Sequence, residues 1–294
     1  MDTVTHALFG LALYGSVDKS KLSVKAKRAL LLVTVAGSEI PDIDVVSQWW
    51  DTAGRYQMWH RGITHSVFLI PFWALLLTAG TRLFVREAGW KLFGIAALAV
   101  WIHDTSDLFN AWGTGYFEPF SSARLTFGTI PIVSPVFWLL MLGGWLLARR
   151  PGTRWAPHRI YRTVWLLIAL HIVVQSAQGY MLYEQASRQY EQVALSADFI
   201  PGQFTVIGKT GGEVTLTKGA TWSGQKPVAK LASREEANLE ELFAENPRAA
   251  TLAEWAPFVV IVDEGGRLGV YDPRFYRNGQ SFLFESIERK ADTR

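Results

Sequence analysis

Four long apolar runs in the first 182 residues constrain this chain more than any other feature: 66–85, 91–111, 129–148 and 160–182. A bilayer-crossing helix needs roughly 20 such residues, so the four runs are expected to be membrane spans. Two shorter helical segments precede them, at about 5–17 and 24–38, and are expected to form a tilted, re-entrant or interfacial hairpin. Composition agrees. The 294 residues are 49% hydrophobic, contain 13 tryptophans and have a mean hydropathy of +0.12, and tryptophan is the residue of interfacial belts. The expected fold is an all-α polytopic membrane bundle over residues 1–182, followed by a soluble α+β domain over 183–294.

The second half reads differently from the first. "QFTVIG", "EVTLT", "PFVVIVDE", "RLGVYD" and "SFLFESIE" are strand-like runs, several of them separated by Gly or Pro turns. "SREEANLEELFAEN" has a helical pattern, with Ser233 as the expected cap. This half holds no histidine and no catalytic cluster. It reads as a packing domain or a surface for a protein partner.

Basic residues sort by loop. Lys19, Lys21, Lys25, Lys27 and Arg28 separate the two short helices. Arg82, Arg86 and Lys91 separate the first two long runs, and Arg149, Arg150, Arg154, Arg159 and Arg162 the last two. Around 39–65 and 112–128 only Arg55, Arg61 and Arg124 occur. The positive-inside rule places the first three groups in the cytoplasm. The other loops, and everything after Leu182, are then expected outside. The N-terminus "MDTVTHALFG" has no basic leader region, so insertion is expected from the internal spans of a multi-pass membrane protein. The absence of cysteine excludes disulfides, thiolate metal sites and cysteine nucleophiles. A net charge of +3 indicates no nucleic-acid partner.

Imidazoles and carboxylates collect at the loops expected on the outer face. His6 opens the first short helix. Asp42 and Asp44 lie in "SEIPDID", His60 and His65 in "HRGITHS", and His103 and Asp107 in "HDTSD". His103 and Asp107 are four residues apart and share a helix face, so both reach one metal ion or two neighbouring ones. Imidazole with carboxylate suits Zn²⁺, and also Mn²⁺ or Fe²⁺. Ionisable groups beside a bilayer are costly and are kept for a use. His171, Gln175 and Gln178 share a face of the last long run. They are expected to make interhelical hydrogen bonds, or to form a polar wall for a headgroup.

These residues carry a family resemblance. "MDxxTHxLxG", "PDID", "HRGxTHS", "HxxxD" and a later "PFS" resemble the YdjM-like membrane-bound metal-dependent hydrolases (the DUF457 group), over residues 1 to about 145. That group is distantly similar to zinc-dependent phospholipase C and P1-type nucleases, all-helical enzymes that bind zinc through His and Asp. Carried onto this sequence, the resemblance implies a ligand set of His6, one of Asp42 or Asp44, one of His60 or His65, His103 and Asp107. The second-half ligands of those enzymes have no match here, which implies one or two ions.

The expected activity is hydrolysis of an ester, a phosphoester of a membrane lipid or lipid-linked substrate, by metal-activated water. Asp104, or the spare carboxylate of the Asp42/Asp44 pair, is a candidate general base. Asp42 is also a candidate partner that orients a histidine. Arg61 and Arg124 are candidate clamps for an anionic group, since guanidinium matches phosphate oxygens. The alternatives are a transporter or channel with a His/Asp ion relay, and a non-catalytic membrane protein with a structural metal.

Overall fold

A computed structural model describes residues 1–85 and 89–289, so Arg86 of the basic groups lies outside the described residues. Helix α1 (Thr3–Ser16) is capped by Asp2, whose carboxylate accepts from the Thr5 amide. Helix α2 (Val24–Gly37) is capped in the same way by Ser23. A 3-10 segment (Ile40–Trp49), the single turn α3 (Tyr56–Trp59) and a 3-10 turn (Ile63–His65) follow. Then come α4 (Ile70–Arg82), α5 (Trp90–Asp107), α6 (Pro135–Arg149) and α7 (Pro157–Ser187). Strands β1 (Gln192–Ala197), β2 (Phe204–Thr210), β3 (Glu213–Ala220) and β4 (Gly224–Ala232) lead to α8 (Glu240–Glu245) and α9 (Pro247–Trp255). The chain ends in β5 (Val260–Glu264), β6 (Arg267–Tyr271), β7 (Tyr276–Arg277), β8 (Gln280–Ser281) and β9 (Phe284–Glu288).

The chain divides into two compact units, residues 1–44 with 61–176, and residues 45–60 with 177–294. The first is helical and depends on small residues at its contacts. A Cβ on Gly10 would stand 2.7 Å from the Val35 Cα, and one on Gly37 would stand 2.9 Å from the Ala99 side chain. The helices α1, α2 and α5 therefore approach almost backbone to backbone. Phe9, Ile130, Phe137, Val164 and Ile168 form one buried cluster; Val33, Ala74 and Ala96 form another. The unit has two distinct ends. At one, Arg162 Nε donates to the Ser16 carbonyl oxygen. At the other, Thr129 Oγ1 meets Ser176 Oγ at 3.0 Å, and the Thr129 and Ile130 amides both donate to the Phe109 carbonyl, two residues beyond α5.

The expectation of an all-α bundle with four firm spans does not hold. Among the described residues, α7 is the one helix long and apolar enough to cross a membrane; Tyr56–His65 with Ile70–Arg82 passes the same test only as a broken pair. The reason lies in local structure. Run 66–85 becomes a helix of 13 residues, since Ser66–Leu69 is non-helical. Run 129–148 contains Pro131 and Pro135 and becomes helical only from Pro135, for 15 residues. At 1.5 Å per residue these reach about 20 and 23 Å, short of a hydrocarbon core of about 30 Å. Helix α5 reaches 18 residues, but its last turn carries His103, Asp104 and Asp107.

The second unit is built on β-structure. β1 to β4 form an antiparallel meander in chain order, and β5, β6 and β9 form a three-stranded antiparallel sheet. Phe258 and Val260 share a buried cluster with Ile207, Val214 and Leu216. Ser233 does not cap a helix. Its hydroxyl accepts from the Ile261 amide and donates to Glu235 Oε1, and it ends β4 instead. The "NLEELFAEN" stretch is helical only from Glu240.

Candidate metal centre

Each site residue of the helical unit comes from a place where regular helix begins, ends or gives way. His6 sits in the first turns of α1. Asp42 and Asp44 lie on the 3-10 segment that follows α2, after Pro41. His65 ends a 3-10 turn that Gly62 and Arg61 open, Arg61 with a positive φ of 58°. His103 and Asp107 occupy the last turn of α5. These ends converge at the Ser176 level of the unit, opposite its basic end.

Four ligand atoms converge there: one each from Asp42, His65, His103 and Asp107, all within 4.8 Å of one another. His65 Nε2 lies 3.1 Å from His103 Nε2, 3.3 Å from Asp42 Oδ1 and 3.5 Å from Asp107 Oδ2. His103 Nε2 lies 3.7 Å from Asp42 Oδ1 and 3.8 Å from Asp107 Oδ2. Ligands at 2.0–2.1 Å from a tetrahedral ion stand about 3.3 Å apart, so the spacing is that of atoms sharing one cation. The side chains of His65, His103 and Asp107 are fully buried, and Asp42 is 13% exposed.

Proton placement argues the same way. His103 Nδ1 is 2.6 Å from the Ser38 carbonyl oxygen. A carbonyl only accepts, so the ring proton is on Nδ1 and Nε2 of the neutral ring carries a lone pair. Thr64 gives its hydroxyl hydrogen to Asp44 Oδ2 at 2.6 Å and offers its oxygen to His65 Nδ1 at 3.1 Å. His65 Nδ1 also faces Asp44 Oδ2 at 3.4 Å. His65 in its neutral form therefore also points a lone pair at His103. Two lone pairs so close repel unless a cation stands between them. A proton would serve two nitrogens, whereas Asp42 Oδ1 and Asp107 Oδ2 face the same point, Asp107 Oδ2 with Arg61 Nε 3.1 Å away on its other side. Four donors suit a metal ion.

The other expected residues take distinct places. Asp44 Oδ2 accepts from the Arg61 amide at 2.9 Å as well as from Thr64, so this oxygen orients His65 and the turn. His6 stacks on His103 with ring centroids 3.6 Å apart, and its Nε2 lies 3.4 Å from Asp107 Oδ1. His60 falls in the second unit, stacked on Tyr56 at 5.2 Å. Arg61 was expected to meet an incoming anion. Its guanidinium is instead buried on Asp107 Oδ2 at 3.1 Å, Asn110 Oδ1 at 3.0 Å and the Met1 carbonyl oxygen at 2.7 Å. Arg124 donates to the Arg61 carbonyl oxygen and pairs with Glu118 at 3.2 Å. Both arginines are built into the walls. Asp104 is fully buried, with both oxygens lacking a hydrogen-bond partner. His171 packs edge-on against Phe137, and Gln175 is buried.

Several participants left no mark in the sequence. The Ser38 carbonyl and Asn110 belong to no motif that sequence reasoning weighs, and Thr64 and Met1, whose amine pairs with Asp107 Oδ1, stand within HRGxTHS and MDxxTHxLxG without any role assigned to them there. Glu39 was also missed. Burial, then the charges of Asp42 and Asp2, push its carboxyl up to about 7.

Fold and site together define a helical protein with a buried His/Asp centre that can hold a metal ion, continuous with a helix able to cross a membrane. The chain belongs to the YdjM inner membrane protein family, whose model matches residues 1–182 and so takes in every residue of this centre. It is also similar to the uncharacterized protein YfhP of Bacillus subtilis, with 32% identity over 203 residues. That match covers 67% of this chain and 61% of YfhP, so the chain spans less than two thirds of its relative. No solved structure matches.

Proposed function

We propose that this protein is a metal-dependent hydrolase of an ester, most specifically a phosphoester of a lipid or lipid-linked molecule. Asp42, His65, His103 and Asp107 hold one divalent ion, with zinc the expected metal and manganese or iron the alternatives. The observation that supports this reading is the pair of imidazole nitrogens 3.1 Å apart, with the far nitrogen of each ring held by a partner of its own. When bound by these residues, a divalent ion would supply Lewis-acid activation of water and of an ester. The chain's own residues prepare the place. Ser38 and Asp44 set the two rings, Arg61 and Asn110 hold Asp107, and Asp104, whose carboxyl burial pushes up to about 8, is the candidate for exchanging a proton with the substrate. Asp42, the one partly exposed ligand, marks the side from which substrate and water enter. The similarity to zinc phospholipase C and P1 nuclease belongs to this proposal, as does the choice of phosphoester.

One observation favours a second reading. Four protein donors, three of them fully buried, would be enough to fill a four-coordinate ion, as in structural zinc sites. Activity separates the two. Purified protein in lipid vesicles is stripped with a chelator, reloaded with zinc or manganese, and assayed on a chromogenic phosphodiester and on phosphatidylglycerol. Metal-restored hydrolysis that His103→Ala lacks supports the enzyme. Full metal binding with no hydrolysis of any ester supports the structural site.

We further propose an orientation. Arg149, Arg150, Arg154, Arg159 and Arg162 precede or open α7 with no acid among residues 147–165, so this end faces the cytoplasm. The centre, at the opposite end of its unit, and residues 188–294 then lie outside. A reporter active only outside the cytoplasm, fused after Arg294, is expected to be active. A cytoplasm-only reporter active at that position would reverse the assignment.

A further inference from the structure

The β-unit carries three large apolar side chains where a soluble domain has no use for them. Phe199 is 53% exposed, Ile200 63% and Trp222 66%. Phe199 and Ile200 lie in the β1–β2 turn and Trp222 in the β3–β4 turn. In a meander those two turns share one end of the sheet, and the β2–β3 turn occupies the other. Contact confirms it. The Trp222 ring lies over Gly202, where an added Cβ would stand 2.0 Å from the indole. Lys218 of β3 also pairs with Asp198 of the β1–β2 turn. The three side chains therefore form one tip.

The position of that tip follows from the join between α7 and the sheet. After Ser187 the chain reverses, and β1 begins at Gln192. Leu182 and Ala186 of α7 share a buried cluster with Leu195, Ala197, Phe204 and Val206, so β1 returns alongside the helix it has just left. Six strand residues cover about 20 Å, whereas Ser187 back to Leu182 is about 8 Å of helix rise. The return therefore carries the tip past Leu182 and back toward the apolar stretch of α7, on which Tyr180 and Met181 are both 62% exposed. Helix α7 is the span candidate, and Tyr180 and Tyr183 near its end are residues of a membrane–water interface. Exposed aromatic and aliphatic side chains at the end of the sheet that points back along this helix, with Lys218 and Lys226 paired across β3 and β4 beside them, have the chemistry of that layer.

We propose that the tip formed by Phe199, Ile200 and Trp222 inserts into the lipid interface beside the end of α7. The sheet domain is thereby seated on the bilayer rather than swinging from a single helix. The committed partner is lipid, in the region between headgroups and upper acyl chains.

The chain has no cysteine, so single-cysteine labelling is clean. The full-length Ile200→Cys protein is labelled with an environment-sensitive fluorophore and reconstituted into phosphatidylethanolamine/phosphatidylglycerol vesicles. Thr210→Cys, at the opposite end of the meander, is the control. The expected result at residue 200 is blue-shifted emission, quenching by lipids carrying a nitroxide near the headgroup, and protection from aqueous iodide. At residue 210 only iodide should quench. Equal iodide access at both positions overturns the proposal. So does protection at 200 without lipid quenching, which would assign the tip to a protein partner or a second copy. Labelling leaves Trp222 and the turns in place, and circular dichroism of each labelled variant verifies the sheet.

Discussion

The Nε2 atoms of His65 and His103 face each other across 3.1 Å, while the far nitrogen of each ring is spoken for by Asp44 with Thr64 and by the Ser38 carbonyl. This relationship links two segments 38 residues apart in sequence. It also separates residues that would bind an ion from residues that aim them.

Asp44 belongs to the second kind. Removing its charge leaves four donors in place but frees the His65 ring. Asp44→Asn is expected to weaken zinc affinity by about 10- to 100-fold, measured by chelator competition, with stoichiometry unchanged at saturating zinc. Asp42→Asn is expected to remove an ion ligand and lower the stoichiometry itself. Equal behaviour of the two variants would erase the distinction.

Arg61 holds Asp107 by charge and, through Asn110 and the Met1 carbonyl, closes the floor of the site. Arg61→Met leaves the buried Asp107 carboxylate with the Met1 amine as its remaining cation. In metal-free protein the loss of the Arg61 partner costs about 1–3 kcal/mol, read from denaturant unfolding in detergent. Added zinc should recover part of the loss, because the ion supplies the missing positive charge.

Glu39 gives the centre a pH dependence. Its folded pKa is raised to about 7 from an ordinary 4.5 by burial and by Asp42 and Asp2. The folded state therefore binds more protons than the unfolded state between those values, and stability falls as pH rises through the window. Below about 4.5 both states are protonated and the penalty vanishes. Glu39→Gln in chelator-treated protein is expected to raise Tm at pH 8 and leave it unchanged at pH 4. An equal Tm difference at both values would show that Glu39 does not titrate in this way.

The centre was far more legible in the sequence than the membrane architecture. "PDID", "HRGITHS" and "HDTSD" are short polar islands in apolar surroundings, and polar groups in such places converge for a reason. The choice within each pair was not legible, because 3-10 geometry and the left-handed Arg61 decide it. His65 turns into the cluster with Asp42, His103 and Asp107. The spans were misread because apolar composition marks burial in protein as well as in lipid. Ala74, Ala96 and Val33 are apolar because α2, α4 and α5 pack on one another. The later strands were visible as β-branched runs at 204–210, 213–220 and 260–264. β1 and β4 were missed, β1 because "QVALSA" follows a polar linker with no turn residue to announce it and β4 because "GQKPVAKLA" carries a proline and two lysines, and Pro247 starts a second helix where one was expected.

The most direct measurement is zinc K-edge X-ray absorption on protein loaded with one equivalent of zinc. The predicted spectrum has nitrogen and oxygen scatterers at about 2.0 Å, with outer-shell scattering from two imidazoles that His65→Ala and His103→Ala each reduce by one. A spectrum without imidazole scattering, or one that neither substitution changes, would contradict the site.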